Sequence, residues 1–266
     1  MFKRKIKKRV NILKDNKRRL IYVLISVTTI LFLAVLGWNF YERGMTTGKS
    51  EGGKKKQTTT ILVMGLHDEK ALEREHLQGD NGYLDSMALI VLDRTSNRIS
   101  MIPFSTDTVC PVEVYYTDGT KAKKKQDMQI SYQFAYGSDA QSGVELTVSA
   151  VENLMNKKIT VDNYVLLPTE SVEKMISDYQ ENIKKDAWTS WDSGNVLWDT
   201  VGSKSVIISN IEDIDIFRYR VRSLLVSNKN MKAYELEGET YEHTGFNEFY
   251  PDEESLEEMI AKVWYH

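Results

Sequence analysis

The sequence has few of the residues from which disulfide frameworks and zinc sites are built. Among its 266 residues there is one cysteine, Cys110, and there are four histidines. A single cysteine excludes an internal disulfide, so the fold must be held together by its hydrophobic core. The histidines show no metal-ligand spacing, which argues against a zinc site; they are His67, His76, His243 and His266.

The chain also lacks an overall basic excess. Its formal net charge at pH 7 is -3, whereas a domain devoted to nucleic acid usually carries a strong positive balance. We therefore expect no nucleic-acid partner. With 41% hydrophobic and 27% charged residues, a chain of this length can bury a sizeable core, which excludes a disordered protein and favours one main domain with appendages.

The positive charge that is present concentrates at the N-terminus. Residues 1–19 contain ten Lys or Arg and one acid, whereas residues 20–40 contain no charged side chain and, at about 1.5 Å per residue, can cross about 30 Å of hydrocarbon. The positive-inside rule then predicts a basic cytoplasmic segment at 1–19, one transmembrane helix at 20–40 and a C-terminal part outside the membrane. A cleaved signal peptide is the competing interpretation, but the apolar run is long for one and "NFYERG" is a poor cleavage site.

The rest of the chain is typical of a tethered domain. Residues 41–60 are rich in Gly, Lys and Thr and predict a flexible linker before an external domain at 61–266. In that domain "TTILVMGL", "DSMALIVLD" and "NRISMIPFS" predict strands. The segments "SGVELTVSAVENLMNKK" and "TESVEKMISDY" have apolar residues at helical spacing. This order predicts an α/β or α+β sandwich, in which helices pack on a sheet.

Two polar clusters at strand ends are candidates for a functional site. Asp85 stands at the entrance of an apolar strand, where a carboxylate could bind magnesium or only cap the strand. Asp107 and Thr108 follow the strand that ends near Ser105. Strand ends are where α/β sheets place ligand groups, although a turn motif explains the Asp-Thr pair equally well.

The third candidate cluster is "FRYRVRS". In an extended chain its alternating side chains would place Arg218, Arg220 and Arg222 on one face, about 6.6 Å apart. Guanidinium groups bind phosphate oxygens in bidentate pairs, so this spacing suits a diphosphate. A solvated strand face is the alternative.

The order of these segments resembles the LytR-CpsA-Psr family. A basic arm and an anchor are followed by "ILVMGL", "LDSMALIVLD", "ISMIPFSTDT", "ISYQFAYG" and "YRVR", and the resemblance is best over residues 61–178. Members are anchored bacterial enzymes that transfer glycopolymers, such as wall teichoic acid or capsular polysaccharide, from a polyprenyl-diphosphate carrier to peptidoglycan, usually with magnesium. The resemblance therefore implies a central mixed sheet flanked by helices, a cell-membrane location, and three partners: polyprenyl-diphosphate-linked glycan, peptidoglycan and the bacterial membrane.

The resemblance also implies roles for the candidate residues. Asp85 matches a magnesium and diphosphate residue, and "STDT" matches the family's "PRDT" motif. The segment "FYPDEESLEEMI" looks like the C-terminal end of a clostridial branch. The implied assignments are Asp107, Arg218 and Arg220 as catalytic residues, Arg218, Arg220, Arg222 and Thr108 as diphosphate-binding residues, Asp85 as the metal ligand and Mg²⁺ as the cofactor.

Two positions depart from the family pattern. Thr106 stands where the family has its catalytic arginine, and His67 stands where its "LGxD" motif has an acid. Loss of one arginine in phosphoryl transfer can cost on the order of a thousandfold in rate. The sequence therefore leaves two hypotheses: an active glycopolymer transferase, with a relocated clamp such as Arg222, and a catalytically impaired member that binds polyprenyl phosphates or serves as a scaffold.

Overall fold

The computed structural model describes residues 26–29, 58–69, 72, 82–116, 118–185 and 190–265. The chain divides into two units, Met1–Lys56 and Gln57–His266, and the elements named below belong to the second. The predicted basic segment and the linker up to residue 57 lie outside the described residues, and so does the predicted transmembrane helix apart from residues 26–29, which are helical. Within the described ranges, no helix is long and apolar enough to cross a membrane.

The second unit alternates strands and helices. Its strands are β1 (Thr58–Leu66), β2 (Leu84–Asp93), β3 (Arg98–Phe104), β4 (Val109–Val112), β5 (Gln126–Gln129), β6 (Asn163–Pro168), β7 (Ile208–Ser209), β8 (Met231–Ala233), β9 (Gly238–His243) and β10 (Phe246–Pro251). Its helices are α1 (Ala140–Leu154), α2 (Thr169–Lys184), α3 (Ser190–Val201), α4 (Asp213–Ser223) and α5 (Glu253–Trp264), with 3-10 helices at Ile130–Tyr136 and Asn228–Asn230. Because β1 starts at Thr58, the last three residues of the predicted linker belong to the sheet.

The centre of the unit is a six-stranded sheet in the order β7-β6-β1-β2-β3-β8. Strand β2 is antiparallel to β1 and β3, β6 is parallel to β1, and β8 is parallel to β3. Strands β1, β3 and β6 therefore end at the edge where β2 begins, which we call the upper edge; the opposite edge is the lower edge. A mixed sheet flanked by helices confirms the predicted fold class.

Strand β1 separates two hydrophobic cores. Its residues Leu62, Met64 and Leu66 enter one core together with α1 and α5, whereas Ile61 and Val63 enter the other together with α2 and α3. Successive side chains of a strand point to opposite faces, so a strand covered on both faces must be apolar throughout. This is why β1 and β2 are continuous apolar runs and not alternating ones.

Helix α3 is an element that the sequence analysis did not assign. Its segment contains Gly and Ser between tryptophans, which weakens the helical pattern. Gly194 is needed for close packing, because a Cβ there would lie 2.6 Å from Cβ of Ser223 on α4. Trp198 is fully buried and its indole Nε1 donates a hydrogen bond to the Ser223 hydroxyl. Tertiary contact with α4 therefore holds α3.

The segment "FRYRVRS" is helical, and the predicted strand is wrong. It forms the C-terminal turns of α4, whose Ile216 and Tyr219 pack at helical spacing against the second core. Asp213 and Asp215 lie in the first turn and two arginines lie in the last, which suits the helix dipole. The alternation of apolar and basic residues that suggested a strand is also compatible with a half-buried helix.

Truncating a side chain in the central sheet should destabilise the fold strongly. Leu89 on β2 is fully buried in the first core, so Leu89→Ala should lower the free energy of unfolding by about 2–5 kcal/mol. Leu225→Ala is the matched control, because the Leu225 side chain is exposed and the residue's hydrogen bonds, with Asn97 and Arg222, are made by its main chain. Urea unfolding of the full-length variants measures both, and the control should stay within about 0.5 kcal/mol of the parent.

Candidate functional site

The upper edge brings Asp85 and the loop at 105–107 close together. Asp85 lies near the start of β2, and the loop follows the end of β3. The two strands are neighbours in the sheet, with Met87 paired to Phe104. Paired strands lie about 4.8 Å apart. Asp85, at the start of β2, and Asp107, just after the end of β3, therefore lie at the same edge of the sheet on neighbouring strands.

Asp85 sits at a β-bulge. In the ladder between β1 and β2, Gly65 pairs with Ser86 and Leu66 pairs with Leu84, which leaves Asp85 without a partner in β1. A bulge redirects the side chain of its extra residue and is common beside functional sites. Gly65 is required here, because a Cβ at this position would lie 2.0 Å from the Ser86 hydroxyl oxygen.

The bulge directs Asp85 towards His67, the residue that follows β1. Nδ1 of His67 forms a hydrogen bond with Oδ2 of Asp85. The imidazole stacks on the ring of Tyr83, with centroids 4.7 Å apart and planes at 17°. The main-chain N–H of His67 donates to the carbonyl of Tyr83 at 3.2 Å. The pair is therefore held by the two chain segments that flank the bulge.

Acidic neighbours set the protonation of His67. The hydrogen bond with Asp85 raises the pKa of His67 above its usual value, an effect that burial opposes only in part. The carboxylates of Asp68 and Glu170 act in the same direction through space. The side chain of His67 is 49% exposed and that of Asp85 is 30% exposed, so a ligand at the upper edge can reach both.

Asp107 is fixed by the β9–β10 hairpin. Its carbonyl accepts a hydrogen bond from the N–H of Phe249 at 2.9 Å. Its Oδ1 accepts from Nε2 of Gln129 at 3.1 Å, and the same nitrogen donates to the carbonyl of Asn247. Partial burial raises the pKa of the Asp107 carboxyl group. Asp107 is thus a positioned carboxylate that takes up a proton more readily than an exposed aspartate.

The threonines beside Asp107 have structural contacts. Thr108 is fully buried, and its hydroxyl donates to the carbonyl of Ser105 at 2.5 Å. The diphosphate role predicted for Thr108 therefore has no support from the geometry, because this hydroxyl faces the protein interior. Thr106 is half-buried and its carbonyl accepts from the N–H of Ser131 at 3.3 Å, a bond that a change of side chain leaves in place.

Helix α4 places the predicted arginines at the other end of the sheet. The Tyr219 hydroxyl accepts a hydrogen bond from Asn163, the first residue of β6, at 3.3 Å. Just after α4, the carbonyl of Leu225 accepts from Asn97, in the turn between β2 and β3, at 2.7 Å. Both contacts are at the lower edge. The structure therefore does not bring Arg218, Arg220 and Arg222 to Asp85 and Asp107.

The three arginines also do not share one face. On a helix of 3.6 residues per turn, Arg218 and Arg222 are neighbours and Arg220 projects elsewhere. NH1 of Arg218 pairs with Asp215 at 2.8 Å, and Arg220 pairs with Asp199. The expected row of guanidinium groups is thus replaced by separate ion pairs. Within the described ranges, every arginine lies towards the lower edge; they are Arg94, Arg98, Arg218, Arg220 and Arg222.

A pocket of about 280 Å³ lies beside the Asp107 loop. Its walls come from the end of β3 and from the segment that leads into and through the β9–β10 hairpin. Its volume is just below the range of about 300–1,000 Å³ that is typical of small-ligand sites. The lining residues are Pro103, Phe104, Ser105, Glu235, Leu236 and Phe249.

The donors around Asp85 do not suit the magnesium ion that the family resemblance implies. Mg²⁺ prefers oxygen ligands in octahedral geometry. At the bulge, the carboxylate of Asp85 is hydrogen-bonded to an imidazole nitrogen. Across the described part of the chain, no group of three or more His, Cys, Asp or Glu side chains is arranged to hold a metal ion.

Several site residues were missed by the sequence analysis. His67 was noted only as a departure from a motif, although its place directly after β1 puts it at the upper edge. Its contact with Asp85 depends on the bulge, which the sequence does not reveal. Gln129 and Phe249 are 22 and 142 residues from Asp107, and no local pattern connects them with it.

The structure is that of a mixed α/β domain, and a comparison of its sequence with family models identifies the family. A sequence model described as "LytR_cpsA_psr family" matches residues 38–184, more than half of the chain. The chain belongs to the LytR_cpsA_psr family. A comparison with curated proteins found no match.

Solved structures share the fold. B. subtilis TagV is 16% identical, with a TM-score of 0.52 over 79% of this chain and 97% of that chain. TagT bound to LI-WTA is 15% identical, with a TM-score of 0.51 over 80% of this chain and 92% of that chain. The Bacillus subtilis protein yvhJ, described as a transcriptional regulator, is 18% identical, with a TM-score of 0.50 over 79% of this chain and 99% of that chain. At these identities the likeness shows the fold alone.

Replacing Asp85 by Asn should lower the pKa of His67. An amide cannot stabilise the imidazolium as a carboxylate does, so the main cause of the raised pKa is removed. An NMR titration of the His67 ring protons measures the change. Asp178→Asn, in a surface ion pair on α2, is the matched control and should leave the titration as it is. Equal His67 pKa values in the parent and in Asp85→Asn would contradict the hydrogen bond.

Proposed function

We propose that the chain acts in the bacterial cell envelope on a polyprenyl-diphosphate-linked glycopolymer that is attached to peptidoglycan. Family membership supports cell-wall glycopolymer attachment as the general role. The observation that carries the proposal is that Asp85 and the Asp107 loop lie at the same edge of the sheet, on the neighbouring strands β2 and β3. TagT bound to LI-WTA is a precedent for a WTA-type ligand on this fold.

In the transfer that we propose, an acceptor hydroxyl of peptidoglycan attacks the phosphorus nearer to the glycan. The bridging P–O bond breaks, polyprenyl monophosphate leaves, and a phosphodiester joins the glycopolymer to peptidoglycan. Asp107 would orient the hydroxyl and accept its proton, since burial raises the pKa of its carboxyl group towards the range that suits a general base. Gln129 and Phe249 would hold it in place.

The cellular location in this proposal comes from the sequence. The charge-free run at 20–40 would anchor the chain in the membrane, and the ten basic residues before it would keep the N-terminus in the cytoplasm. The second unit would then lie outside, where lipid-linked glycopolymers and peptidoglycan meet.

A second candidate function is binding of the lipid-linked glycopolymer without transfer. It is favoured by Thr106, which has no charge, and by the position of the described arginines at the lower edge. Electrostatic stabilisation of the transferring group usually contributes more to the rate of such reactions than any other effect. If none of the described residues supplies a guanidinium near Asp107, ligand binding can persist while the chemical step becomes slow.

Removing the carboxylate of Asp107 should stop transfer if the chain is a transferase. We expect Asp107→Asn to reduce polyprenyl phosphate release by about 10²–10⁴-fold, because the amide cannot accept the proton of the hydroxyl. The assay mixes full-length protein, glycan-loaded polyprenyl diphosphate and peptidoglycan. Asp178→Asn should retain the parent rate. A parent protein that releases no polyprenyl phosphate from any of several glycan-loaded carriers would contradict the transferase.

Restoring an arginine at position 106 distinguishes the two candidates. If the chain is an impaired binder, Thr106→Arg should raise the release rate by about a thousandfold, the order of effect of one such cation. If it is an active transferase with its charge supplied elsewhere, the rate should not rise. Binding of the lipid-linked glycan, measured in parallel, should be retained in both cases. The same exchange at exposed Thr120, within the β4–β5 connection, controls for added charge.

A further inference from the structure

The upper edge has a histidine where the family pattern has an acid. We propose that the pair of His67 and Asp85 takes the place of a bound magnesium ion in this chain, so that a diphosphate ligand binds without a divalent cation. The identity of the ligand rests on the proposed function. The metal part of the inference rests on the contacts of the upper edge alone.

The carboxylate of Asp85 already has a protein partner. The β-bulge turns Asp85 out of the ladder, and Nδ1 of His67 donates to its Oδ2. The imidazole is positioned by its stack on Tyr83, with centroids 4.7 Å apart. For Oδ2 of Asp85 to bind a metal ion, the ring of His67 would have to break its hydrogen bond with Asp85 and leave its stack on Tyr83.

The chemistry of the donors leads to the same conclusion. Magnesium in proteins is commonly held by one or two carboxylates together with waters and substrate phosphates. An ion beside Oδ2 of Asp85 would face the ring N–H of His67, which is the positive end of a dipole. The pair is too exposed to add much to stability. Its effect is on what the site can bind.

His67 can supply the positive charge that a metal would otherwise provide. With Nδ1 donating to Asp85, the second ring nitrogen, Nε2, lies on the other side of the ring, where it accepts a hydrogen bond in the neutral ring and donates one in the imidazolium. The ring is half-exposed and is therefore accessible to a ligand at the upper edge. A charged N–H donor forms short, strong hydrogen bonds to phosphate oxygens.

An acid at position 67 should convert the pair into a metal site. His67→Asp would place two carboxylates at the bulge, with those of Asp68 and Glu170 near enough to act on the same position electrostatically. Mutual repulsion among them would favour a bound cation, and the number of charged ligands sets the affinity for hard divalent ions. In wild type, His67 occupies the position of the second carboxylate and is hydrogen-bonded to the first, that of Asp85.

Binding of Mn²⁺, a paramagnetic substitute for Mg²⁺, tests the metal part in the full-length protein. Electron paramagnetic resonance should give wild type and Asp85→Asn the same amount of bound Mn²⁺. His67→Asp should bind Mn²⁺ at least about tenfold more tightly than wild type, and addition of Asp85→Asn should abolish the gain. Wild-type Mn²⁺ binding that Asp85→Asn removes would overturn the inference. This comparison needs no substitution at position 67, so it decides the matter even if His67→Asp does not fold.

His243 offers a matched control for the His67→Asp exchange. It too pairs with a carboxylate, Oε2 of Glu248 at 3.2 Å, and stacks on an aromatic ring, that of Phe246 at 4.8 Å. It is the last residue of β9, on the hairpin, and has no part in the bulge. We expect His243→Asp to bind Mn²⁺ no more tightly than wild type. An equal gain at both positions would show that any exposed His→Asp exchange suffices and would overturn the inference.

Binding of geranyl diphosphate tests the ligand part. We expect its affinity for wild type to be the same with EDTA as with Mg²⁺, and expect His67→Asp to bind it only when Mg²⁺ is present. Loss of wild-type binding in EDTA would overturn the inference. Absence of binding in every condition would instead contradict the proposed function, and the Mn²⁺ experiment would still decide whether His67 excludes the metal.

Discussion

The burial of β1 on both faces is the constraint on which the rest of the molecule depends. Residues Ile61 to Met64 are fully buried, and alternate side chains enter different cores. A shift of one residue would exchange the two sets, so the register of β1 against β2 and β6 is fixed. The mismatch between β1 and β2 is therefore confined to the last residue of the ladder. The extra residue in β2 is Asp85, which forms the bulge at the edge that carries the candidate site.

Charge is distributed unevenly between the two ends of the sheet. The arginines that the structure describes lie towards the lower edge, and two of those on α4 are neutralised by Asp215 and Asp199. The upper edge has carboxylates at Asp85 and Asp107, with His67 beside the first. An anionic ligand at the upper edge therefore meets the imidazole of His67 but none of the described arginines, whereas the sheet itself is that of the family. The chain thus has the sheet of the family, while the described arginines do not contribute to the candidate site.

The predictable parts of the fold are those with a clear period. Strands β1 to β3 and helices α1 and α2 follow from apolar runs and helical spacing, because burial dictates those patterns directly. Helix α4 was misassigned because "FRYRVRS" alternates with a period of two while its buried residues, Ile216 and Tyr219, are three apart. The sequence placed Asp85 and Asp107 at strand ends, and the topology brings those ends together. The partners of both residues could not be predicted, since they depend on a bulge and on contacts with residues 22 and 142 positions from Asp107.

The hydrogen bonds between the β9–β10 hairpin and Asp107 couple the motion of the hairpin to that of the Asp107 loop. Gln129 bridges Asp107 and Asn247, and the amide of Phe249 closes on the carbonyl of Asp107. Fluctuation of the hairpin must therefore strain or break the contacts that orient the carboxylate. Conversely, a ligand that immobilises Asp107 should slow the breaking of the hydrogen bond from the Phe249 amide. The rate of hydrogen exchange at that amide therefore reports ligand binding at the upper edge.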